Sequence, residues 1–229
     1  MTRVLIADDH PLFRNALRAA LSQVVDAVEV LEAEDLRRTR ETLEREPDID
    51  LLLLDLHMPG SRGLAGLAAL RAGYAAVAVV VVSASEDPAV IRRALDLGAS
   101  GFIPKSSGLE VLAEALDRVL ACETWVPPHL HAALPAGDCE DRELARRIAS
   151  LTPRQLRVLE LVADGQLNKQ IADRLAIQER TVKAHISEIF TRLGVRNRTQ
   201  AGIAFRRLEL IDPAARVELD ASAGPESTQ

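Results

Sequence analysis

Leu51-Leu-Leu-Leu-Asp55-Leu-His-Met-Pro-Gly-Ser-Arg-Gly63 sets four consecutive leucines directly before an aspartate and a turn-rich run. Four apolar residues in a row leave no outward-facing polar position, so they suit a strand covered on both faces, the usual environment of a parallel sheet. Similar runs stand on either side: Val4 to Ala7, Val28 to Ala33, Val77 to Val82 and Gly101 to Ile103. Amphipathic stretches beginning near Pro11, Asp35, Arg62, Asp87 and Gly108 alternate with them. Pro11 and Pro88 fall near first-turn positions, where a missing N–H is harmless. Parallel strands need crossover connections, and right-handed crossovers put helices on both faces. The pattern over residues 1–121 therefore predicts an α/β domain with a five-stranded, doubly wound parallel sheet.

Beyond it the alternation stops. Residues 122–150 contain Pro127-Pro128, Pro135 and Gly137 and read as a linker, with the lone Trp125 docking it onto a neighbour and a short helix from about Asp141 to Ala149. Residues 151–211 carry helical periodicity broken at Gly165, near Ile177 and around Gly194 to Arg198, which predicts a small all-α domain of four helices. Residues 212–229 read as a disordered tail.

The 229 residues are 48% hydrophobic and 27% charged, an ordinary globular composition that excludes collagenous and disulfide-stapled classes. The apolar run Ala75 to Val82 is far shorter than the roughly 20 residues of a membrane helix. No signal-like core opens the chain, so a cytoplasmic protein without membrane contact is expected. Cys122 and Cys139 lack metal-ligand or disulfide spacing and read as free thiols. The net charge of -6 is divided unevenly. Residues 1–122 carry 13 basic against 19 acidic side chains, whereas residues 151–211 carry 11 against 6. An acidic front and a basic module point to partners of opposite character. Arginine outnumbers lysine 25 to 3, so Lys105, Lys169 and Lys183 stand where a compact ammonium rather than a generic cation is wanted.

Asp8 and Asp9 follow the first strand and Asp55 the third. Ligands of such sheets sit beyond the carboxyl ends of the strands at the switch point of the topology, so the three carboxylates should converge there. Crowded carboxylates repel unless a cation neutralises them, and an oxygen-only set suits Mg2+. Ser83, ending the fourth strand, can donate to a phosphoryl oxygen, and Lys105, after the fifth, can place an ammonium on another. Phosphoryl transfer needs little beyond such positioning and charge neutralisation, and Asp55 as acceptor would yield an aspartyl phosphate. A phosphatase-like enzyme turning over phosphate esters at Asp55 is the alternative; it calls for a general acid, and His57 is the one neighbour that qualifies.

In the basic module, Thr152 and Pro153 open a helix as N-cap and first residue, and Asn168 is placed to cap the next, Lys169 to Leu175. A third runs from about Glu179 to Leu193. Two short helices joined tightly, the second polar on one face, form a helix-turn-helix. Val182, Ile186, Ile189, Phe190 and Leu193 make its apolar stripe, leaving Thr181, Lys183, Ala184 and Ser187 toward a groove. Six aromatic residues in the whole chain disfavour single-strand binding by base stacking, so double-stranded DNA is the expected partner.

Asp8-Asp9, Asp55-Leu-His-Met-Pro-Gly-Ser-Arg-Gly63, Ser83 and Gly101-Phe-Ile-Pro-Lys105 resemble the receiver domain of bacterial two-component response regulators. Leu151-Thr-Pro-Arg154, Asn168-Lys-Gln-Ile-Ala172, Thr181-Val-Lys-Ala-His185 and Leu193-Gly-Val-Arg-Asn-Arg-Thr199 resemble the LuxR-type helix-turn-helix, and the pair is similar to the NarL/FixJ family. The resemblance implies phosphorylation of Asp55 by a sensor histidine kinase, with Mg2+ held by Asp8, Asp9, Asp55 and the backbone carbonyl of His57. It implies that Ser83 and Phe102 form a switch pair, although Phe102 reads equally well as a core residue. Lys183, Ala184 and Ser187 would face bases, and Lys169, Thr181, Arg196 and Arg198 would hold phosphates. A homodimer on two-fold promoter sites is implied for the phosphorylated form. The acidic receiver is complementary in charge to the basic module and suited to cover it. Two positions depart from the family pattern: Ser106 follows Lys105 where proline is common, and Ser187 stands where many members carry a cation.

Overall fold

The computed structural model describes residues 1–131, 134 and 139–209. Five strands, β1 (Thr2–Ala7), β2 (Val28–Ala33), β3 (Leu51–Asp55), β4 (Ala78–Ser83) and β5 (Gly101–Pro104), form one sheet in the order β2-β1-β3-β4-β5, every pair parallel. The crossovers are α1 (Pro11–Val24), α2 (Leu36–Arg45), α3 (Leu64–Gly73) and α4 (Pro88–Asp96), and α5 (Leu109–Leu120) follows β5. The sheet order reverses between β1 and β3, and the register pairing Ala7 with Leu54 brings the carboxyl ends of those strands side by side.

Strand periodicity divides the core. Val4, Ile6, Leu51, Leu53, Val80, Val82 and Ile103 point to one face and pack against α1 and α5 through Leu17, Leu21, Leu112 and Leu116. Leu5, Ala7, Leu52, Leu54, Val79, Val81 and Phe102 point to the other, into a core that continues through Leu64, Leu67, Val90 and Ile91 of α3 and α4. Both faces are apolar because helices cover both, which is why the leucine run shows no alternation.

Asp35 and Asp87 cap α2 and α4, accepting from the backbone of Arg38 at 2.6 Å and Ala89 at 2.8 Å. The third helix begins at Leu64 rather than Arg62, because Gly63 ahead of it holds φ 59, a left-handed conformation that stops the helix short. The fourth strand runs one residue later than expected.

The described residues of the linker dock as expected through Trp125, and its helix starts at Cys139, two residues earlier than expected. Trp125 pairs with Gly101 in a parallel bridge at the free edge of β5, α6 (Pro128–His131) follows, and α7 (Cys139–Ala149) packs on α3, α4 and the helices beyond. Those are α8 (Pro153–Ala163), α9 (Asn168–Leu175), α10 (Glu179–Leu193) and α11 (Arg198–Glu209). Thr152 caps α8 as expected, completing a capping box in which the Gln155 side chain accepts from the Thr152 backbone at 3.0 Å. The cap of α9 is a correction: Leu167, not Asn168, holds the N-cap position, and Gln170 accepts from its N–H at 2.7 Å. Asn168 is already helical, its amide oxygen turned to Arg198. Cys122 is exposed and free, while the tail expected over 212–229 and the side chain of Cys139 lie outside the described residues. No helix among the described residues is long and apolar enough to cross a membrane.

Leu53, fully buried on the central strand, tests the two-faced core. Leu53→Ala should lower the unfolding free energy in urea by about 2–5 kcal/mol, and a loss within experimental error would contradict its assignment.

Candidate functional site

The carboxyl ends of β1, β3 and β5 deliver Asp8 and Asp9, Asp55, and Lys105. Asp8 and Asp55 are both buried, each 1% exposed. The ammonium of Lys105 lies 2.7 Å from Asp55 Oδ2 and 2.8 Å from Asp8 Oδ2. It also sits 5.3 Å over the ring of Phe13 on α1, whose electron-rich face favours the cation. The backbone N–H of His57 donates to Asp55 Oδ1 at 3.0 Å and that of His10 to Asp8 Oδ1 at 2.7 Å, so local turns also orient the carboxylates.

Burial pushes the Asp55 carboxyl above its ordinary value; the bonds from Lys105 and His57 oppose this, and the nearby Asp8 charge adds to it. For Lys105, burial alone would favour the neutral amine, but the hydrogen bonds it donates to Asp55 and Asp8 outweigh it and raise the pKa. The site is short of positive charge. One ammonium pairs with Asp8 and Asp55, none with Asp9, and ligand atoms of Asp8, Asp9, His10 and Asp55 lie within 4.8 Å of one another. Asp9 Oδ1 is buried without a well-formed hydrogen bond, although His10 Nδ1 lies 2.6 Å away. This oxygen-rich, under-neutralised set fits a hard divalent cation.

Ser83, fully buried, ends β4 beside β5; its hydroxyl accepts from the Ser85 N–H at 3.2 Å and its carbonyl from the Lys105 N–H at 2.7 Å. Phe102 is buried in the core on the α3–α4 side. The sheet end therefore assembles Asp8, Asp9, Asp55, Ser83 and Lys105, with His57 at its rim. Asp55, His57 and Lys105 line a cavity of about 470 Å³ with His10, Leu12, Phe13 and Ala84. Sequence reasoning missed two supports. Arg14 donates to the Asp8 carbonyl at 2.8 Å and pairs with Glu32 on β2 at 2.8 Å, and Arg18 pairs with the same carboxylate. The Arg18 hydrogen bond leads the effects that hold Glu32 below its ordinary value. Phe13 carries no motif; only its place one turn beyond Asp9 hints at a role.

In the helical module, Val182, Ile189 and Leu193 are buried, while Lys183, Ala184 and Ser187 stand exposed on the opposite side of α10. Lys183 pairs with Glu179 at 3.1 Å, and the Ser187 hydroxyl donates to the Lys183 carbonyl at 3.1 Å. Lys169 and Arg196 are exposed and Thr181 half-buried. Arg198 is half-buried, its guanidinium bonded to the Gln166 carbonyl and to Asn168 Oδ1. The receiver does not cover the readout positions. Its α3 and α4 meet α7, α8 and α11 instead, joined by an ion pair of Arg62 with Asp164 at 2.8 Å and a bond from Arg93 to the Arg207 carbonyl at 2.8 Å. The expected masking by charge gives way to packing because the buried surface of α7 and α8 is apolar.

Asp55→Asn should raise the melting temperature in metal-free buffer at pH 7. A raised folded pKa means that the folded state keeps its proton longer than the unfolded chain, so the ionised carboxylate destabilises the fold at neutral pH. The gap between variant and wild type should be full above the raised pKa, narrow as pH falls through it, and vanish below the ordinary value of 3.8. Melting curves from pH 3 to 8 check this, and a pH-independent gap would contradict the assignment.

Comparison with known proteins agrees with the geometry. Residues 4–117 match the response regulator receiver domain, and residues 149–204 match the bacterial regulatory proteins of the luxR family. The glycerol metabolism activator of Pseudomonas putida is 41% identical over 206 residues, covering 88% of this chain and 93% of that protein. The nitrate/nitrite response regulator protein NarL of Escherichia coli K12 is 35% identical over 201 residues, covering 87% and 93%. Among solved structures, a complex of the two-component response regulator RcsB with DNA superposes with TM-score 0.54 at 26% identity, covering 90% of this chain and 98% of that one. The RcsB response regulator of Salmonella typhimurium gives TM-score 0.55 at 27% identity, covering 86% and 93%. Receiver, linker and helix-turn-helix thus recur together along nearly the whole length of these relatives, and the chain belongs to the NarL/FixJ-type response regulators.

Proposed function

We propose that this chain is a cytoplasmic, phosphorylation-dependent transcription regulator rather than an enzyme. Asp55 accepts a phosphoryl group from a sensor histidine kinase, and the C-terminal module binds double-stranded promoter DNA as a homodimer. The observation that carries the reading is the Lys105 ammonium held on Asp55 at 2.7 Å at one end of a chain whose other end leaves Lys183, Ala184 and Ser187 open to a groove.

The chemistry follows from the placement. A carboxylate oxygen of Asp55 bonds to phosphorus as the bond from phosphorus to the donor breaks, the leaving group taking the electron pair. Lys105 then turns from the Asp55 carboxylate to a phosphoryl oxygen, and the Ser83 hydroxyl donates to another. Asp8, Asp9, Asp55 and the His57 carbonyl would hold Mg2+, which would supply charge neutralisation for the transferred group. Phe102, within β5, and Ser83, at the end of the neighbouring β4, are the switch pair.

In the DNA-binding module, Lys183, Ala184 and Ser187 contact bases, while Lys169, Thr181, Arg196 and Arg198 hold phosphates and fix the register. Because the readout residues are exposed in the structure, phosphorylation acts by rearranging the domains and promoting dimers rather than by uncovering these side chains. The domain division is 1–121, 122–150 and 151–211.

Two measurements test this. Acetyl phosphate with Mg2+ should add one phosphoryl group to the intact mass of the chain and none to Asp55→Asn; multiple turnover of a phosphomonoester would favour the enzyme reading. Lys183→Ala should weaken binding to a specific site by about 1–3 kcal/mol and relax base preference at one position. An equal loss on all sequences would make it a backbone contact.

A further inference from the structure

The linker segment 123–126 lies against the free edge of β5. Phe102 donates its backbone N–H to the Trp125 carbonyl at 2.9 Å, and Trp125 donates to the Ser100 carbonyl at 3.2 Å. Gly101 is the residue between them, and a Cβ there would stand 2.9 Å from the Trp125 carbonyl oxygen and 3.3 Å from Val119 Cγ2. The glycine is therefore required by the close approach of the linker. Its neighbour on the same short strand, three residues beyond Gly101, is Pro104, and the next residue is Lys105. One four-residue strand carries on its open edge the linker and at its carboxyl end the ammonium that grips Asp55 and Asp8.

We infer that Trp125 is a positioning residue for the phosphoacceptor site, and that β5 transmits the state of Asp55 directly to the linker through the Phe102–Trp125 backbone pair. A strand four residues long has too few bonds to absorb a shift at one end. It pairs with β4 through Val80 to Ser83 on one side and with the linker on the other. When Lys105 leaves the Asp55 carboxylate, the pull on β5 changes and the less firmly held edge, the linker, yields. The Trp125 side chain is buried with Leu112, Val119 and Ile103 on the α1–α5 side, whereas Val126 and Leu130 enter the core on the other side. The segment crosses from one face of the sheet to the other within a few residues, so its displacement is felt in the core shared with the DNA-binding helices. Coupling of this kind is reciprocal in equilibrium free energy: a change in linker docking must alter the stability of phosphorylated Asp55 by the same factor, without having to alter its rate of labelling.

The inference rests on Asp55 being the phosphoacceptor, and the test separates the two. Trp125 is the single tryptophan of the chain, so its emission reports the segment without a label. In the full chain, acetyl phosphate with Mg2+ should shift Trp125 emission and change amide exchange over residues 123–126, in proportion to the phosphoryl group counted by intact mass and with no change in Asp55→Asn. Lys105→Ala breaks the same grip with no phosphoryl group present and should shift both signals by itself. Gly101→Ala should still be labelled, yet lose most of the phosphorylation-dependent gain in DNA affinity, a gain expected to be about tenfold. A labelled wild type with unchanged emission and exchange would overturn the inference and leave the phosphoacceptor intact. Should no phosphoryl group be added, the phosphoacceptor reading fails, and Lys105→Ala decides whether β5 and the linker are coupled. If Gly101→Ala does not fold, emission and exchange in the wild type and Lys105→Ala still decide.

Discussion

Three carboxylates gathered at the ends of two adjacent strands, with one ammonium bridging Asp8 and Asp55, impose the main constraint on the receiver half. Repulsion among Asp8, Asp9 and Asp55 is tolerable only because Lys105 arrives from β5 and backbone N–H groups accept some of the charge. Lys105 can arrive only if β5 sits beside β4 in register, since Ser83 pairs with Pro104. The apolar strands, the helices on both faces and the glycine that lets the linker close the edge all hold that ammonium in place. The residual negative charge is also what makes the pocket receptive to a divalent cation, while burial is the main reason the pKa of Asp55 is raised.

Arginine performs a different task from lysine here. Guanidinium groups repeatedly donate to backbone carbonyls left unpaired near helix ends: Arg206 to Ala163, Arg154 to Leu175, Arg147 to Leu193 and Arg192 to Ser150. The last turn of a helix presents carbonyls without partners and the negative end of its dipole, and a planar fork of N–H donors satisfies both. These contacts tie α9 and α11 to α8, and α10 to α7 and the residue after it. They also mean that part of the basic surplus of residues 151–211 is structural. Of the cations proposed to hold phosphates, Lys169 and Arg196 are exposed and Arg198 is half-buried.

The sheet was readable because the leucine run and its companions obey a rule set by burial on both faces. The acidic pocket was readable because strand-end position is a function of topology, so Asp8, Asp9, Asp55, Ser83 and Lys105 could be placed together before any coordinates. Other contacts follow from no local rule. Arg62 with Asp164 and Arg93 with the Arg207 carbonyl each join residues over a hundred positions apart in the chain, and nothing in their neighbourhoods announces the partner. The role of Asn168 was misjudged for a physical reason: a good capping side chain lost the position to Leu167, whose backbone is satisfied by Gln170 instead. Docking of the linker through Trp125 was legible, but its partner was not, because the feature that admits it, the bare backbone of Gly101, lies in a different element.

The apolar core on the α3–α4 side of the sheet continues without interruption through Val126, Leu130 and Ile148 into Leu159, Ile171, Val182 and Phe205 of the DNA-binding module. The two halves are recognisable as separate units by family, yet in this arrangement they share an interior. Grafting this receiver onto a foreign output module would therefore expose a complementary apolar surface on each parent, and a working chimera would have to carry the linker and the facing sides of α7 and α8 along with it.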